Sequence, residues 1–231
     1  MSDVLDNAVW HALTSHHASL AEVAGTARRY PRDVSPFAAV EALDAEGWAS
    51  LGKLGGRIVL FRDDIDELPS GWTSTATGVG HQMVLEDPAP APDVPVVTLG
   101  RDDADEMLDL VAVARPGPFE RRTVELGRYV GVRDDTGRLV AMAGERLRVP
   151  GYTEVSAVCT HPDARGRGLA AALTQVVCGG IAERGETPVL HVAAGNDNAL
   201  RLYERLGFAE RRTVRFAILE PPSGFVVVPP S

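Results

Sequence analysis

Apolar residues recur at helical spacing in residues 169–184, at Leu169, Ala172, Leu173, Val176, Val177 and Ile181. This period predicts a helix with one buried face, and Gly185 is a typical helix terminator. The same kind of period predicts a helix over residues 102–114, whose acidic first turn suits the helix dipole. Two further helices are predicted over residues 119–126 and 198–206, each followed by a glycine.

Runs of apolar and β-branched residues predict strands before, between and after these helices. The predicted strands cover residues 94–99, 128–133, 139–148, 154–160, 189–193 and 211–219. Residues 134–137 read Asp-Asp-Thr-Gly, which is the composition of a hairpin turn, so the two strands on either side are predicted to pair antiparallel. The pattern as a whole predicts a mixed α/β fold.

Alternating prolines mark residues 88–95. They disfavour a helix and favour an extended connector, so we place a domain boundary there. The chain is then divided into an N-terminal domain of residues 1–87 and a C-terminal domain of residues 96–231. In the N-terminal part the pattern predicts helices over residues 9–16 and 36–49 and strands over residues 57–61 and 80–85.

Composition limits the class of protein. With 231 residues, of which 45% are hydrophobic and 24% charged, the chain can bury a substantial core. No apolar run approaches the roughly 20 residues of a membrane helix, and the N-terminus lacks the pattern of a secretion signal. Cys159 and Cys178 show neither disulfide nor metal-ligand spacing. We expect a soluble cytoplasmic protein without a membrane partner or a metal site.

The charge is acidic overall but unevenly placed. The net charge of −9 argues against a nucleic-acid partner. Acidic clusters at residues 62–67 and 102–106 weakly favour a cationic substrate. Seven arginines gather in the last third of the chain, at Arg165, Arg167, Arg201, Arg205, Arg211, Arg212 and Arg215. They either bind a small polyanion or are solvated surface residues and ion-pair partners.

A glycine-rich turn precedes the helix predicted over residues 169–184, with the sequence Arg165-Gly166-Arg167-Gly168-Leu169-Ala170. Glycines let a ligand approach the backbone, and the first N–H groups of a helix point at it, so such a turn can bind phosphate. A tight turn without a ligand is the alternative. A dinucleotide fingerprint also matches formally, but no acidic residue ends the next predicted strand, and no Gly-Lys-Ser/Thr is present for a P-loop.

Three motifs in order make the sequence resemble the GNAT superfamily of acyl-CoA-dependent N-acetyltransferases. The glycine turn is similar to the family's Arg/Gln-x-x-Gly-x-Gly/Ala hallmark, and Val158-Cys159-Thr160-His161-Pro162-Asp163 precedes it. Residues 196–208 resemble the family's Asn-x-x-Ala-x-x-Leu-Tyr-x-x-x-Gly-Phe element. The resemblance covers residues 94–219, and residues 144–168 look most like a subgroup whose acceptors are poorly defined.

The resemblance implies a mixed, mostly antiparallel central sheet with helices on both faces. Its strands 154–160 and 189–193 would be parallel and would splay apart. A smaller α/β N-terminal domain would precede this GNAT fold, as a degenerate GNAT-like half, a lid over the acceptor or a dimerisation surface. A homodimer is one expected assembly.

The resemblance also implies a binding site for acetyl-CoA as co-substrate. The pantetheine arm would pair with strand backbone at Val158, Cys159 and Thr160. The pyrophosphate would lie on the turn formed by Arg165, Gly166, Arg167, Gly168, Leu169 and Ala170. Asn196 would either contact a pantetheine amide or cap the helix that follows it.

Acyl transfer to an amine needs a proton acceptor, a stabilised oxyanion and a proton for the departing thiolate. Tyr203 stands where the family keeps its general acid, and it also touches the cofactor there. Glu154 is near the position of a glutamate base in some members. His161 and His191 are chemically possible but unassigned, and Cys159 is expected to be an inert core residue. A backbone N–H near Val158 would bind the oxyanion.

The expected function is therefore transfer of an acetyl group from acetyl-CoA to an amine of a small molecule or peptide by direct attack. The alternative is a non-catalytic acyl-CoA-binding sensor or interaction module, because binding motifs can persist after the chemistry is lost. Tyr203 favours the enzyme.

Overall fold

One mixed sheet forms the centre of the protein. The computed structural model describes residues 3–65, 67–92 and 94–222. Eight strands of these residues follow one another across the sheet: β4 (Ile58–Phe61), β11 (Ala209–Glu220), β5 (Thr73–Val84), β10 (Thr187–Ala193), β9 (Tyr152–Thr160), β8 (Leu139–Val149), β7 (Tyr129–Arg133) and β6 (Val97–Leu99). Neighbours are antiparallel except β9 and β10, which are parallel. The mostly antiparallel sheet is confirmed.

Helices cover both faces of this sheet, as predicted. On one face lie α4 (Leu169–Ala182) and α5 (Asp197–Arg205), whose apolar residues pack against Val130, Val140 and Leu190. On the other lie α3 (Ala104–Ala114), over Tyr129 and Met142, and α1 (Ala8–Leu13), over Leu147 and Val149. Successive strand residues point to opposite faces, which separates the two sets. No helix in the described residues is long and apolar enough to span a membrane.

Strand β5 joins the two parts of the chain. It precedes the proline-rich segment, yet it lies between β10 and β11, which follow that segment. Its register pairs Gln82 with His191 on one side and with Arg212 on the other. The two predicted domains therefore share one sheet. The division into residues 1–87, 88–95 and 96–231 stays a prediction, and Asp93 in the connector lies outside the described residues.

The remaining N-terminal elements form a small α/β layer. Strands β1 (Glu22–Ala24), β2 (Ala27–Arg29) and β3 (Ala38–Ala39) make a separate antiparallel sheet, and α2 (Ala45–Leu54) packs on it through Trp48 and Leu51. Phe37, just before β3, contacts Val59 of β4, so this layer is packed against the edge of the main sheet.

Two of the predicted helices differ from the structure by more than a few residues. The helix predicted over residues 36–49 begins only at Ala45, because the Asp44 carboxylate caps it by accepting the Gly47 N–H at 2.8 Å. The helix predicted over residues 119–126 is reduced to a 3₁₀ turn at Thr123–Leu126. The other helices and the strands predicted after residue 94 all occur, with ends shifted by a few residues.

Candidate functional site

Strands β9 and β10 separate partway along their length. They pair at three positions, Thr187 with Tyr152, Pro188 with Thr153 and Val189 with Glu154. Beyond this point β10 stays paired with β5 as far as Ala193, and β9 with β8 as far as Thr160. The facing edges of the two strands therefore open onto a slot, and the predicted splay is confirmed.

A bulge interrupts β9 beside this slot. Ala157 has a φ of 53°, which is uncommon for a residue other than glycine. The register with β8 shifts at the same place, because Met142 pairs with Cys159 whereas Gly144 pairs with Ser156. Bulges redirect strand groups and occur next to active sites. At this bulge the backbone of Ala157 and Val158 leaves the regular hydrogen-bond ladder with β8. The oxyanion donor expected from the sequence, a backbone N–H near Val158, belongs to this segment.

The glycine-rich turn lies at the N-terminus of α4. Gly166 and Gly168 have φ values of 77° and 75°, and a Cβ on either would meet no protein atom within 4 Å. Gly168 is the N-cap residue and has no side chain that could cap the helix. The first helical hydrogen bond runs from the Ala172 N–H to the Gly168 carbonyl. The N–H groups of the first turn thus point into open space, which is the geometry of an anion site.

Slot and turn open into one cleft of about 740 Å³. Its described walls include Val158, Cys159, Thr160, Arg165, Gly166, Gly168, Leu169, Ala170, Asn196 and Tyr203. The structure brings these predicted residues together. Arg167 is exposed and Glu154 is buried, and neither lines the cleft. The Thr160 hydroxyl oxygen is buried in this wall without a hydrogen-bond partner among the described residues.

Tyr203 lies on α5 and faces the cleft from the α4 side of the sheet. Its ring packs edge-on against Phe208 at 5.8 Å between centroids, and the residue is only 9% exposed. Burial raises the pKa of Tyr203 to about 12. No hydrogen bond to its hydroxyl occurs within the described part of the chain. The phenol is therefore protonated at neutral pH and available as a donor.

Glu154 is the centre of a buried ionic network on the opposite side of the sheet. Its two oxygens accept hydrogen bonds from Arg146 at 2.8 and 2.5 Å, and Oε1 lies 2.7 Å from His191 Nδ1. Burial by itself would raise the pKa of Glu154, but Arg146 and His191 outweigh it and hold the pKa below the usual range. His191 and Arg146 line the cleft and separate Glu154 from it.

Gln82 fixes the proton arrangement of His191. Its amide nitrogen lies 3.0 Å from His191 Nε2 and donates to the Leu5 carbonyl, while its amide oxygen accepts from Arg211. With the amide oriented in this way, Gln82 is the donor to Nε2. In this arrangement His191 Nε2 accepts from Gln82, and His191 Nδ1 donates to Glu154.

Several candidate residues have structural partners. Asn196 caps α5 by accepting the Ala199 N–H at 3.3 Å, so its capping role is observed and its contact with pantetheine stays a prediction. His161 accepts the Asp163 N–H and does not line the cleft. Burial raises the pKa of Cys159 to about 12, which favours the inert thiol expected. In the described residues, no group of three or more His, Cys, Asp or Glu is placed to hold a metal ion.

Three of the seven arginines of the last third have roles that the structure shows. Arg211 and Arg212 form ion pairs with Asp6, and Arg212 also pairs with Asp63, so these two tie β11 to N-terminal segments. Arg165 alone of the seven predicted arginines lines the cleft. The interpretation as ion-pair partners therefore holds for Arg211 and Arg212.

Sequence patterns missed the N-terminal contribution to the site. Phe37, Val59 and Phe61 line the cleft, and Gln82 of β5 contacts His191. Phe61 and His191 are 130 residues apart in sequence, yet their rings are 5.1 Å apart. No local motif marks these residues, because an apolar wall has the same composition as an ordinary core.

Comparison with known proteins gives a consistent result. A family model described as FR47-like protein matches residues 129–217. The crystal structure of a protein from Novosphingobium aromaticivorans, described as an acetyltransferase from the GNAT family, is 39% identical, with a TM-score of 0.88. That comparison covers 96% of this chain and 100% of the other. A GCN5-related N-acetyltransferase from Kribbella flavida covers 94% and 97% of the two chains at 20% identity and a TM-score of 0.59, which shows the fold alone.

Curated relatives match over shorter stretches. The mycothiol acetyltransferase of Mycobacteroides abscessus is 51% identical over 64 residues, and that of Mycobacterium sp. (strain JLS) is 36% identical over 87 residues. These stretches are 27% and 36% of this chain. They span only 22% and 29% of the length of the two relatives.

Proposed function

The chain belongs to the GNAT family, and from this premise we propose that it transfers an acetyl group from acetyl-CoA to an amine of a small molecule or peptide. The observation that carries the proposal is the single cleft that joins the splayed strands, the glycine turn and the hydroxyl of Tyr203. A sensor that only binds acyl-CoA would need the turn and the slot, but it would not need a buried phenol without a partner.

The described residues fit acetyl-CoA. In the proposal, the N–H groups at Gly166, Gly168, Leu169 and Ala170 bind the pyrophosphate, with Arg165 and the exposed Arg167 beside it. The backbone of Val158, Cys159 and Thr160 lies along the unpaired edge of β9 and binds the pantetheine amides as an added strand would. The unpartnered Thr160 hydroxyl supplies a further polar contact in the same wall.

The chemistry is direct attack. The amine nitrogen bonds to the thioester carbonyl carbon, the developing oxyanion accepts a hydrogen bond from backbone N–H at the β9 bulge, and the C–S bond breaks. Tyr203 donates its proton to the departing sulfur. The high pKa of Tyr203 keeps this proton in place until the thiolate forms.

The amine must lose a proton before or during attack, because an alkyl ammonium is charged at neutral pH. Glu154 is a weak acceptor, since Arg146 and His191 lower its pKa and separate it from the cleft. We therefore place Glu154 as a positioning residue that holds His191, with His191 Nε2 as the acceptor. Gln82 must release that nitrogen when the amine binds.

The proton path is tested by steady-state kinetics with one amine acceptor. Replacing His191 by asparagine is expected to lower kcat by about a hundredfold, because general base catalysis is lost. Glu154→Gln is expected to lower kcat less, because His191 remains and loses only the carboxylate that holds it. An unchanged kcat in His191→Asn would exclude His191 as the proton acceptor.

Donor binding is tested at the glycine turn by calorimetric titration with acetyl-CoA. Gly168→Ala is expected to weaken binding by at least about tenfold, because the methyl group enters the space of the ligand and disturbs charged hydrogen bonds. Gly185→Ala is the matched control. Gly185 has a φ of 73° and equally open surroundings, but it follows α4 at its far end. Both variants carry a strain of about 1 kcal/mol, so equal loss of binding in the two would contradict the proposed turn.

A further inference from the structure

One arm of the cleft lies on the side of the sheet opposite α4 and α5. Its walls are the apolar residues Phe37, Val59, Phe61, Phe216 and Ile218, which pack in the same cluster as Leu5 and Val189. Tyr203 belongs to the cluster under α4, across the sheet. We call these five residues the acceptor arm, because the slot between β9 and β10 connects them to the proposed thioester position.

The walls of the acceptor arm are fixed in place. The rings of Phe37 and Phe61 meet edge-on at 5.4 Å, and those of Phe61 and Phe216 are stacked at 5.8 Å. The Arg146 guanidinium lies 4.9 Å from the centre of the Phe37 ring, and Glu154 neutralises its charge from behind. The arm is therefore a preformed apolar surface with a neutral ion pair at its base.

The charges around the cleft disfavour a cation. Among the described residues that line it, none is Asp or Glu, and the arginines are Arg115, Arg146 and Arg165. A second ammonium group on the acceptor would find no carboxylate in these walls. It would lose its water shell without gaining a counter-charge, which is costly.

The described ion-pairing residues of the two acidic clusters do not change this conclusion. Asp63 pairs with Arg212 and Asp64 with Arg62. In the second cluster, Asp103 and Glu106 pair with Arg133, and Asp105 pairs with Arg121. These carboxylates are engaged in ion pairs, and none of them lines the cleft.

We infer that the acceptor is an amine with an apolar body, aromatic or aliphatic, and without a second positive charge. This inference rests on the proposed function and names its substrate class. It assigns to the N-terminal part of the chain a role in acceptor selection, since Phe37, Val59 and Phe61 come from there. Polyamines and aminoglycosides, which carry several positive charges, are expected to be poor acceptors.

A matched pair of amines tests the inference on the wild-type protein. Hexylamine and 1,6-diaminohexane have the same chain length and the same primary amine, and they differ in the second ammonium group. With acetyl-CoA saturating, kcat/KM measured by thiol release is expected to be at least about tenfold higher for hexylamine. 2-Phenylethylamine is expected to exceed ethylamine by a similar factor, because its ring can be buried against the arm.

Variants locate the effect in the arm. Phe61→Leu is expected to raise the KM for 2-phenylethylamine about tenfold and to leave the KM for acetyl-CoA within twofold. Phe119→Leu is the matched control, because Phe119 is a buried aromatic residue that packs on Tyr129 outside the cleft. Circular dichroism confirms that both variants fold before they are compared.

The outcomes separate the two proposals. A diamine used as well as hexylamine would overturn the inference while the acetyltransferase proposal stands. Equal changes in the two phenylalanine variants would overturn the placement of the arm. If acetyl-CoA binds but no amine in the panel causes thiol release, the proposed function fails and the inference fails with it.

Discussion

Replacement of Tyr203 by phenylalanine is expected to lower kcat by about a hundred- to ten-thousandfold, the usual contribution of a general acid. The affinity for acetyl-CoA should stay within a few-fold, because the ring remains in place. The free energy of unfolding should change by less than about 1 kcal/mol, since the hydroxyl has no hydrogen-bond partner among the described residues. Steady-state kinetics, calorimetric titration and urea unfolding measure the three quantities.

Tyr129→Phe is the control for this experiment. The Tyr129 hydroxyl also has no hydrogen-bond partner in the described residues, but this side chain is fully buried and lies outside the cleft. Its loss should leave kcat within a few-fold. A Tyr203→Phe enzyme with unchanged kcat would remove Tyr203 from the chemistry.

Replacement of Arg146 by methionine is expected to lower the free energy of unfolding by about 3–5 kcal/mol at neutral pH, because Glu154 would remain as a buried carboxylate held only by His191. Urea unfolding at pH 7.5 and pH 5 tests this. The deficit should shrink at the lower pH. Without Arg146, burial raises the pKa of Glu154, so that protonation at lower pH relieves the buried charge.

Wild-type Glu154 has the opposite linkage. Its pKa in the folded protein is below the usual range. The ion pair therefore stabilises the fold fully at pH values above the pKa of an unfolded glutamate, about 4.3. This stabilisation is lost as the pH falls from there through the lower pKa of the folded protein.

Arg148→Met is the control for the Arg146 variant. Arg148 is on the same strand, but its side chain is 37% exposed where it pairs with Glu186, so its loss should cost about 1 kcal/mol or less. The double variant Arg146→Met/Glu154→Gln should recover part of the stability. If Arg146→Met lowered the free energy of unfolding no more than Arg148→Met, the ion pair of Arg146 with Glu154 would not be what stabilises this part of the fold.

Local patterns in the C-terminal half predicted its elements well. The apolar period of α4 and the apolar runs of strands β7 to β9 are formed by residues close in sequence. The same is true of the glycine turn, whose left-handed φ values require Gly166 and Gly168. The resemblance to a family then predicted the splay between β9 and β10, which periodicity alone could not show.

Long-range pairing lay beyond these patterns. Nothing in residues 73–84 shows that β5 lies between β10 and β11, because the side chains of a strand do not identify the strands that pair with it. The same limit applies to Glu154. Its position near the family's base could be predicted from the sequence, but its burial against Arg146 and His191 depends on three strands meeting at one place.

The most direct test of the account is thiol release from acetyl-CoA by the purified protein with and without hexylamine, with the product identified by mass spectrometry. We expect release that depends on the amine, with N-acetylhexylamine formed in equal amount, and loss of both in Tyr203→Phe. Absence of acetyl-CoA binding, or binding without N-acetylated product from any amine tested, would contradict the assignment of this protein as an N-acetyltransferase.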